Sequence, residues 1–168
     1  QLILTQSGSE DFHAKLAGGP YKKSSGGTMY ASFDVEFTEL PIGGGGYFGH
    51  FADDGFGYRA RIIAQTTGAE GGMFRIGVSS KGKQSTALVE NDLYLDTVYK
   101  VVIAMSLVDA STTLWVDLDD DLAGGVTTTD NGSAVDVTGF AFRQAKNIGV
   151  MLIDNLKVGT NLADVTDS

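Results

Sequence analysis

The sequence predicts an all-β fold in which two antiparallel sheets pack face to face. Apolar and polar residues alternate along several short segments, clusters of Gly, Asp and Ser separate these segments, and no long helical period is present. Short strands at regular spacing, without helices between them, are typical of a sandwich or barrel. The 23 glycines and only 2 prolines among 168 residues favour many tight turns and bulges.

The predicted strands of the N-terminal half follow from period-two alternation. Residues 29–40 place Phe33, Val35 and Phe37 on one face, and Pro41 with four following glycines ends the strand. In residues 56–65, we assign Phe56, Tyr58, Ala60 and Ile62 to the apolar face, and Arg59, Arg61 and Ile63 to the opposite face. The other strands predicted in this half are residues 47–51, 73–79 and 86–89.

The C-terminal half begins with a nearly continuous apolar run. Residues 98–107 predict a strand that is buried on both faces, and residues 112–118 predict its hairpin partner. Residues 140–143 and 148–158 complete the set, and only residues 119–123 could form a helical turn. We expect a single domain over residues 1–168, with residues 1–10 and 160–168 as candidate linkers or extensions.

The charge and the missing cysteines exclude several classes of function. The net charge of -9 and the pI near 4.5 disfavour binding to a nucleic-acid backbone. Without cysteine there is no disulfide, thiolate metal site or cysteine nucleophile. No apolar run is long enough to span a membrane. Because the chain begins with Gln1, we expect that an upstream secretory signal has been removed and that the protein is extracellular or at the cell surface.

Four segments carry a resemblance to a known superfamily. They are YASFDVEFTELPIGGGGYFGHF (residues 30–51), YKVVIAMSL (99–107), TTLWVDLD (112–119) and VMLIDNLKVGTNLADVT (150–166). Together they resemble the concanavalin A-like lectin/glucanase domains, laminin G-like jelly rolls of secreted bacterial proteins. The resemblance implies a concanavalin A-like jelly roll. Lectins, carbohydrate-binding modules, adhesin parts and glycan hydrolases share that superfamily, so the fold does not choose among functions.

The resemblance also says where catalytic carboxylates would stand. Retaining glycan hydrolases of this superfamily carry two Glu flanking an Asp on one strand, and their chemistry requires this pair of carboxylates. Residues 33–39 read FDVEFTE and residues 114–121 read LWVDLDDD, and neither segment has the pair at the required offset. We therefore predict that the chain is not an enzyme, and that a divergent glycan hydrolase or lyase is the weaker hypothesis.

A ligand-binding face is predicted from the basic residues of the middle strands. Arg59, Arg61 and Arg75 fall opposite the apolar side of their strands, and Arg143 and His50 do the same on theirs. Guanidinium groups suit carboxylate, sulfate or vicinal hydroxyl groups, as in an acidic glycan. The alternative is that these arginines form a cross-strand charge ladder with carboxylates, the candidates being Asp34, Glu36 and Asp54.

Sugar binding also calls for an aromatic platform on which a pyranose ring can stack. The candidates are Trp115, Tyr47 and Tyr58, and the alternative for Trp115 is packing under a loop. Tyr58 falls on the same strand face as Phe56 and Ile62, so packing in the core is favoured for it.

A calcium ion is implied by the resemblance. In bacterial modules of this kind, a structural Ca²⁺ ties the N-terminal segment to the closing strand, where an Asp supplies the carboxylate. Asp154 stands at that position, and Glu10, Asp11 and a carbonyl such as that of Gly46 are candidate partners. Oxygen ligands on loops suit Ca²⁺. The alternative is a hydrogen-bonded Asp at a strand end.

The predicted function is a non-catalytic carbohydrate-binding or adhesive module of a secreted bacterial protein, with an acidic polysaccharide as its partner. The alternative is a structural subunit or spacer of an extracellular surface layer or filament that acts through protein contacts. For that alternative, residues 1–5 (QLILT) could be donated as a strand to a neighbouring copy.

Overall fold

The prediction of an all-β sandwich is confirmed by the computed structural model, which describes residues 1–167. These residues contain twelve strands, one 3₁₀ turn (Lys23–Ser25) and one short α-helix. The first six strands are β1 (Leu2–Leu4), β2 (Asp11–Lys15), β3 (Thr28–Glu39), β4 (Gly46–Ala52), β5 (Tyr58–Gln65) and β6 (Arg75–Ser79). The remaining elements are β7 (Ala87–Leu88), β8 (Val98–Ser106), β9 (Thr112–Val116), β10 (Val126–Thr127), β11 (Gly139–Arg143), β12 (Val150–Gly159) and α1 (Ala163–Thr166).

The strands form two six-stranded antiparallel sheets. Sheet I has the order β1-β12-β3-β8-β9-β10, and sheet II has the order β2-β11-β4-β5-β6-β7. In each sheet, strands from the two ends of the chain are neighbours: β1 pairs with β12, and β2 pairs with β11. The middle of sheet II is therefore assembled from segments that lie far apart in the sequence.

Phenylalanine rings fill the space between the sheets. Phe33 of β3 meets Phe48 of β4 with ring centroids 6.1 Å apart and Phe142 of β11 at 5.1 Å, in both cases edge to face. Phe37 lies 4.3 Å from Phe74. All five rings are buried, and edge-to-face pairing adds to the burial of apolar area. The predicted apolar face of residues 29–40 is thus the core-facing side of β3.

The C-terminal residues lie on the outer face of sheet I. The Ser32 hydroxyl on β3 donates a hydrogen bond to the Val165 carbonyl at 2.6 Å, and the Val165 side chain is fully buried. The predicted two-sided burial of residues 98–107 holds only around Val102 of β8, because Val98 is exposed and Lys100 is half-buried on the outer face of the strand. Within residues 1–167, no helix has the length and apolar character that crossing a membrane requires.

A β-bulge in β5 decides which side chains reach the outer face of sheet II. Between the pairs Gly49↔Ile62 and Phe51↔Arg59, one residue of β4 faces two residues of β5. Ala60 takes up the extra length with a positive φ of 55°. Ala60 and Ile62 stay in the core, whereas Tyr58 joins Arg61 on the outer face. The predicted core position of Phe56 and Tyr58 is therefore wrong, because simple alternation does not hold across a bulge.

Candidate functional site

The candidate site is a cluster of aromatic and basic side chains on the outer face of sheet II, the face turned away from the core. Tyr47 and His50 come from β4, Tyr58 and Arg61 from β5, and Arg143 from β11. These three strands are adjacent in the sheet. We call these five residues the central cluster.

His50 lies at the base of the central cluster. Its side chain is fully buried, and its ring stacks on Tyr58 with centroids 4.2 Å apart and planes at 28°. The Nδ1 atom lies 3.0 Å from the Phe51 carbonyl oxygen, which can only accept, so Nδ1 carries the hydrogen. Nε2 is then an acceptor, and it has no hydrogen-bond partner among the described residues.

Burial keeps His50 uncharged. Burial lowers the pKa of the imidazole to about 4. The hydrogen bond to Phe51 raises the pKa but does not outweigh burial, and the positive charge of Arg61 lowers the pKa further. His50 is therefore neutral at pH 7. A buried histidine with a free acceptor nitrogen is a group that functional sites hold more often than cores do.

Tyr47 holds two guanidinium groups. The Cζ atom of Arg61 lies 4.5 Å from the Tyr47 ring centroid, and that of Arg143 lies 4.2 Å from the same centroid. Both distances are within the range of a cation–π contact. Only 6% of Tyr47 is exposed, so the structure places it beneath the arginines and not as an open platform for a sugar ring.

Arg61 and Arg143 have no carboxylate partner within 4 Å in the part of the chain that the structure describes. The Nε atom of Arg61 is buried and makes no hydrogen bond there. Burial lowers the pKa of Arg61, but a guanidinium stays charged in proteins. In a chain of net charge -9, two unpaired cations side by side are a feature that the fold itself does not require.

The other two predicted arginines are held by nearby groups. Arg59 donates from Nε to the Ser133 carbonyl at 2.8 Å and from a terminal nitrogen to the Tyr58 carbonyl at 2.9 Å. Arg75 forms an ion pair with Asp92 at 2.7 Å. The structure thus brings Arg61, Arg143, His50 and Tyr47 together and leaves Arg59 and Arg75 outside the cluster.

The predicted charge ladder with Asp34 and Glu36 is wrong. Both residues lie on β3 in sheet I, so they cannot face the arginines of sheet II. Asp34 instead pairs with Lys100 at 2.9 Å and accepts a hydrogen bond from Asn155 at 2.7 Å. Asp54 forms no ion pair with any arginine within residues 1–167.

Two hollows flank the central cluster on the outer face of sheet II. The basic hollow has a volume of about 750 Å³ and includes Tyr47 and Arg143 in its wall. The aromatic hollow has a volume of about 470 Å³ and includes Tyr58. The basic hollow is also lined by Lys83, Lys146, Asp11 and Gln144, and the aromatic hollow also by His13, Lys15, Asp53, Asp54 and Phe56.

The loop that carries Lys83 is fixed by a single carboxylate. Asp130 accepts hydrogen bonds from the hydroxyls of Ser79 and Thr86 at 2.6 and 2.8 Å and from the backbone N–H of Ser80 at 2.9 Å. It also accepts from the backbone N–H groups of Lys81 and Gly82, both at 3.2 Å. Burial raises the pKa of Asp130, but these hydrogen bonds outweigh it and lower the pKa to about 2.

Trp115 lies on the other sheet. It belongs to β9 of sheet I, and its indole N–H donates to the Leu122 carbonyl at 3.0 Å. A Cβ atom at Gly125 would come within 2.5 Å of the indole nitrogen, so the loop lies directly against the ring. Of the two alternatives for Trp115, the structure therefore shows packing under a loop, away from the arginines.

The four candidate calcium ligands do not converge on one place. Asp154 is exposed, lies 3.9 Å from the N-terminal amine of Gln1 and lines a hollow that contains neither Asp11 nor Gly46. Asp11 and Gly46 border the basic hollow, and the Glu10 carbonyl accepts from the Gln144 N–H. Within residues 1–167, no three Asp, Glu or His side chains group together as a metal site. A calcium ion stays a prediction.

The N-terminal strand is used within its own chain. Leu2, Ile3 and Leu4 of β1 pair with Ile153, Leu152 and Met151 of β12 at the edge of sheet I. Donation of this strand to a neighbouring copy would require β1 to leave that edge.

Solved structures with the same architecture place the fold in a known group. A SAP-like pentraxin from Limulus polyphemus aligns with a TM-score of 0.62 and 12% identity over 93% of this chain and 74% of its own. An alginate lyase from Pseudomonas aeruginosa aligns with a TM-score of 0.60 and 12% identity over 91% of this chain and 74% of its own. The fold is a concanavalin A-like jelly roll. A further alginate lyase, from Corynebacterium sp., gives a TM-score of 0.52 and 16% identity over 89% of this chain and 61% of its own.

The sequence comparisons add nothing to the structural ones. No protein-family model matches the chain, and no curated protein matches it significantly. Because all of the structural identities are low, the concanavalin A-like jelly roll is shared as a fold and not as an activity.

The prediction that the chain is not an enzyme is wrong in its reasoning. Several proteins with this fold are alginate lyases, and a sialidase and a glycoside hydrolase also contain it. The missing pair of Glu residues excludes only hydrolysis by two carboxylates. Elimination chemistry needs a base, an acid and a cation, which other side chains can supply.

Sequence reasoning misplaced two contributors to the site. Tyr58 was one of the candidate aromatic platforms, but core packing was favoured for it because the bulge at Ala60 leaves no mark in the alternation. Phe56 was assigned to a strand, although it directly follows the turn residues Asp53, Asp54 and Gly55. Its position next to a turn could have indicated this, since a residue beside a turn does not have to follow the alternation of core-facing and outward-facing side chains in the strand.

Proposed function

We propose that this protein binds an anionic polysaccharide along the outer face of sheet II. The observation that carries the proposal is the pair of guanidinium groups, Arg61 and Arg143, which have no carboxylate partner within the described residues. Stacking on Tyr47 holds both groups in place before a ligand arrives. Such preorganised arginines suit the carboxylates or sulfates of an acidic sugar.

The shape of the face supports an extended ligand. The basic hollow and the aromatic hollow lie on either side of the central cluster, because Tyr47 borders the first and Tyr58 borders the second. A chain of several sugars could contact both hollows and pass over the arginines between them. Lys83 and Lys146 in the basic hollow add positive charge.

The structural neighbours support the same class of ligand. Several of them are named alginate lyases, and alginate is an anionic polysaccharide. An extracellular location, which we propose with this function, is where such polymers occur.

Binding of oligouronates prepared from alginate, measured by isothermal titration calorimetry, tests the proposal. We expect R61Q and R143Q each to weaken binding by about 10- to 100-fold, the range of a hydrogen bond to a charged group. The affinity of the unaltered protein should fall as salt is added. R75Q is the matched control, because Arg75 is on the same sheet but is already paired with Asp92. An equal loss in R75Q, or no binding by the unaltered protein, would overturn the proposal.

A second candidate function is cleavage of the bound uronate by β-elimination. The observation that favours it is the hydroxyl-bearing ring of Tyr58, whose centroid lies 5.8 Å from the Arg61 guanidinium, beside a neutral histidine. Arg61 would neutralise the carboxylate of the sugar, and Tyr58, in its phenolate form, would take the proton from the carbon next to it and become the neutral phenol. The C–O bond on the neighbouring carbon breaks, a C=C bond forms, and the Tyr58 phenol returns the proton to the leaving oxygen, which restores the phenolate. His50 is buried, so it would orient Tyr58 and not touch the sugar.

Ultraviolet absorbance of the unsaturated uronate product tests this second candidate. We expect absorbance to rise with the unaltered protein and to stay flat with Y58F, which keeps the ring but lacks the hydroxyl. If the unaltered protein binds oligouronates and produces no absorbance, elimination is excluded and binding stands.

A further inference from the structure

Phe56 is the most exposed large apolar side chain of the described residues. Its exposed fraction is 90%, against 69% for Val108, the next highest. Leaving a phenylalanine in water forgoes the stabilisation that burial of its ring would provide. No described side chain covers it; its one aromatic neighbour is Tyr58, at 6.4 Å between centroids and 71° between planes.

The loop that presents Phe56 is held in one conformation. The Asp53 carboxylate accepts hydrogen bonds from the N–H groups of Gly55 and Gly57, both at 2.9 Å. The Asp53 N–H donates to the Gly57 carbonyl, and the Tyr58 N–H donates to the Phe56 carbonyl. A Cβ atom at Gly57 would lie 2.3 Å from the Asp53 carboxylate, so a larger residue there would displace the carboxylate that holds the turn. Phe56 is therefore held in its exposed position by a hydrogen-bonded turn.

The surroundings of Phe56 are concave and combine apolar with polar groups. Phe56 forms one side of the aromatic hollow, in which Tyr58 adds a second ring and His13, Lys15 and Asp54 supply hydrogen-bonding groups. A pyranose has the matching pattern, with an apolar face of C–H groups and a rim of hydroxyls. A protein partner would call for a contiguous apolar patch of roughly a few hundred Å², and the apolar surface exposed in the aromatic hollow is far smaller.

We propose that Phe56 is a stacking platform for a sugar ring and that the aromatic hollow is a second carbohydrate subsite. This subsite takes the apolar face of a pyranose, whereas the central cluster takes its anionic groups. The inference rests on the proposed function for the direction of the ligand, which runs from the basic hollow across the central cluster to Phe56. It predicts that ligand length matters, because only a longer chain reaches both subsites.

The test compares F56A with the unaltered protein on oligouronates of increasing length, by titration calorimetry. We expect F56A to bind long oligomers about 3- to 10-fold more weakly, the range of an aromatic stacking contact, and short oligomers with unchanged affinity. This difference should persist in high salt, which screens the arginines but not the stacking. V108A is the matched control, since Val108 is also exposed and lies on the loop between β8 and β9, away from the aromatic hollow.

The outcomes separate this inference from the proposed function. Loss of binding in R61Q with unchanged binding of long oligomers in F56A overturns the subsite and leaves the proposed function standing. Binding of neutral cello-oligosaccharides that F56A removes, without any binding of oligouronates, supports the platform and overturns the anionic ligand. Sedimentation of the unaltered protein and of F56A tests whether Phe56 instead contacts another protein chain. If the unaltered chain self-associates through Phe56 and F56A does not alter sugar binding, the subsite is excluded.

Discussion

The ring of Tyr58 covers the imidazole of His50, with centroids 4.2 Å apart and planes at 28°. The bulge at Ala60 makes this contact available, because it turns Tyr58 to the same face as His50. As a result, a histidine on the outer side of a sheet is as buried as a core residue. Its charge is controlled by one aromatic neighbour, and this relation leads to the first two predictions.

The stability of the protein should fall as the pH drops from about 6.5 to about 4. The pKa of His50 is about 4 in the folded chain and 6.5 in its ordinary state, so the unfolded chain binds the proton more readily in that range. The contribution of the neutral imidazole to the free energy of unfolding is therefore complete above pH 6.5 and is lost as the pH falls toward 4. The loss amounts to about 2–3 kcal/mol. Urea denaturation at a series of pH values measures it.

H50Q should flatten this pH dependence. H13Q is the control, because His13 is exposed on the same face of sheet II and its charge is only a minor cause of the lowered pKa of His50, so most of the slope should remain. A slope that H13Q removes and H50Q retains would contradict the assignment to His50.

Removing the ring of Tyr58 should raise the pKa of His50. In Y58A, water reaches the imidazole, and its pKa moves from about 4 toward 6.5 because the charged form regains hydration. In Y58F the ring stays in place, so the pKa should stay low. Titration of the histidine ring protons by NMR measures both variants. A low pKa in Y58A would mean that other groups, and not the stacked ring, bury His50.

D130A should loosen the loop that carries Lys83. The substitution removes an acceptor that serves five donors, and the buried hydroxyl of Ser79 loses its partner. We expect a loss of about 1–3 kcal/mol in the free energy of unfolding, together with faster hydrogen exchange of the Ser80 and Gly82 amides. D54A is the control, since Asp54 is an exposed aspartate.

Asp130 should also make the stability of the fold depend on pH at the acid end. The pKa of Asp130 is about 2 in the folded chain and 3.8 in its ordinary state, so its stabilising effect is complete above pH 4 and is lost between about 4 and 2. This part of the acid denaturation curve should be missing in D130N. If D130N and the unaltered protein lose stability equally over that range, another carboxylate is responsible.

The strands were predictable because each follows a local pattern. The alternation of Phe33, Val35 and Phe37 predicts the core side of β3, and the apolar run at Val101–Ile103 predicts a doubly buried strand. The fold class also followed from local signals. The order of strands in the sheets did not, because pairs such as β2 with β11 join residues about 130 positions apart in the chain.

The site was only partly predictable for a related reason. Parity placed Arg61 and Arg143 on a polar face, but it could not show which arginines already have partners, as Arg75 does with Asp92 across a loop. It also grouped Asp34 with arginines that belong to the other sheet. Pairing and burial depend on contacts between distant segments, and a single sequence does not record them.

The arrangement of strands in sheet II has a consequence for how the central cluster forms during folding. Tyr47, His50, Tyr58 and Arg61 come from a hairpin that can form early, whereas Arg143 is added only when β11 docks between β4 and β2. Such long loop closures slow folding in proteins with many non-local contacts. During refolding, tyrosine burial should therefore recover before ligand affinity does, because the central cluster is complete only after β11 has paired with β4.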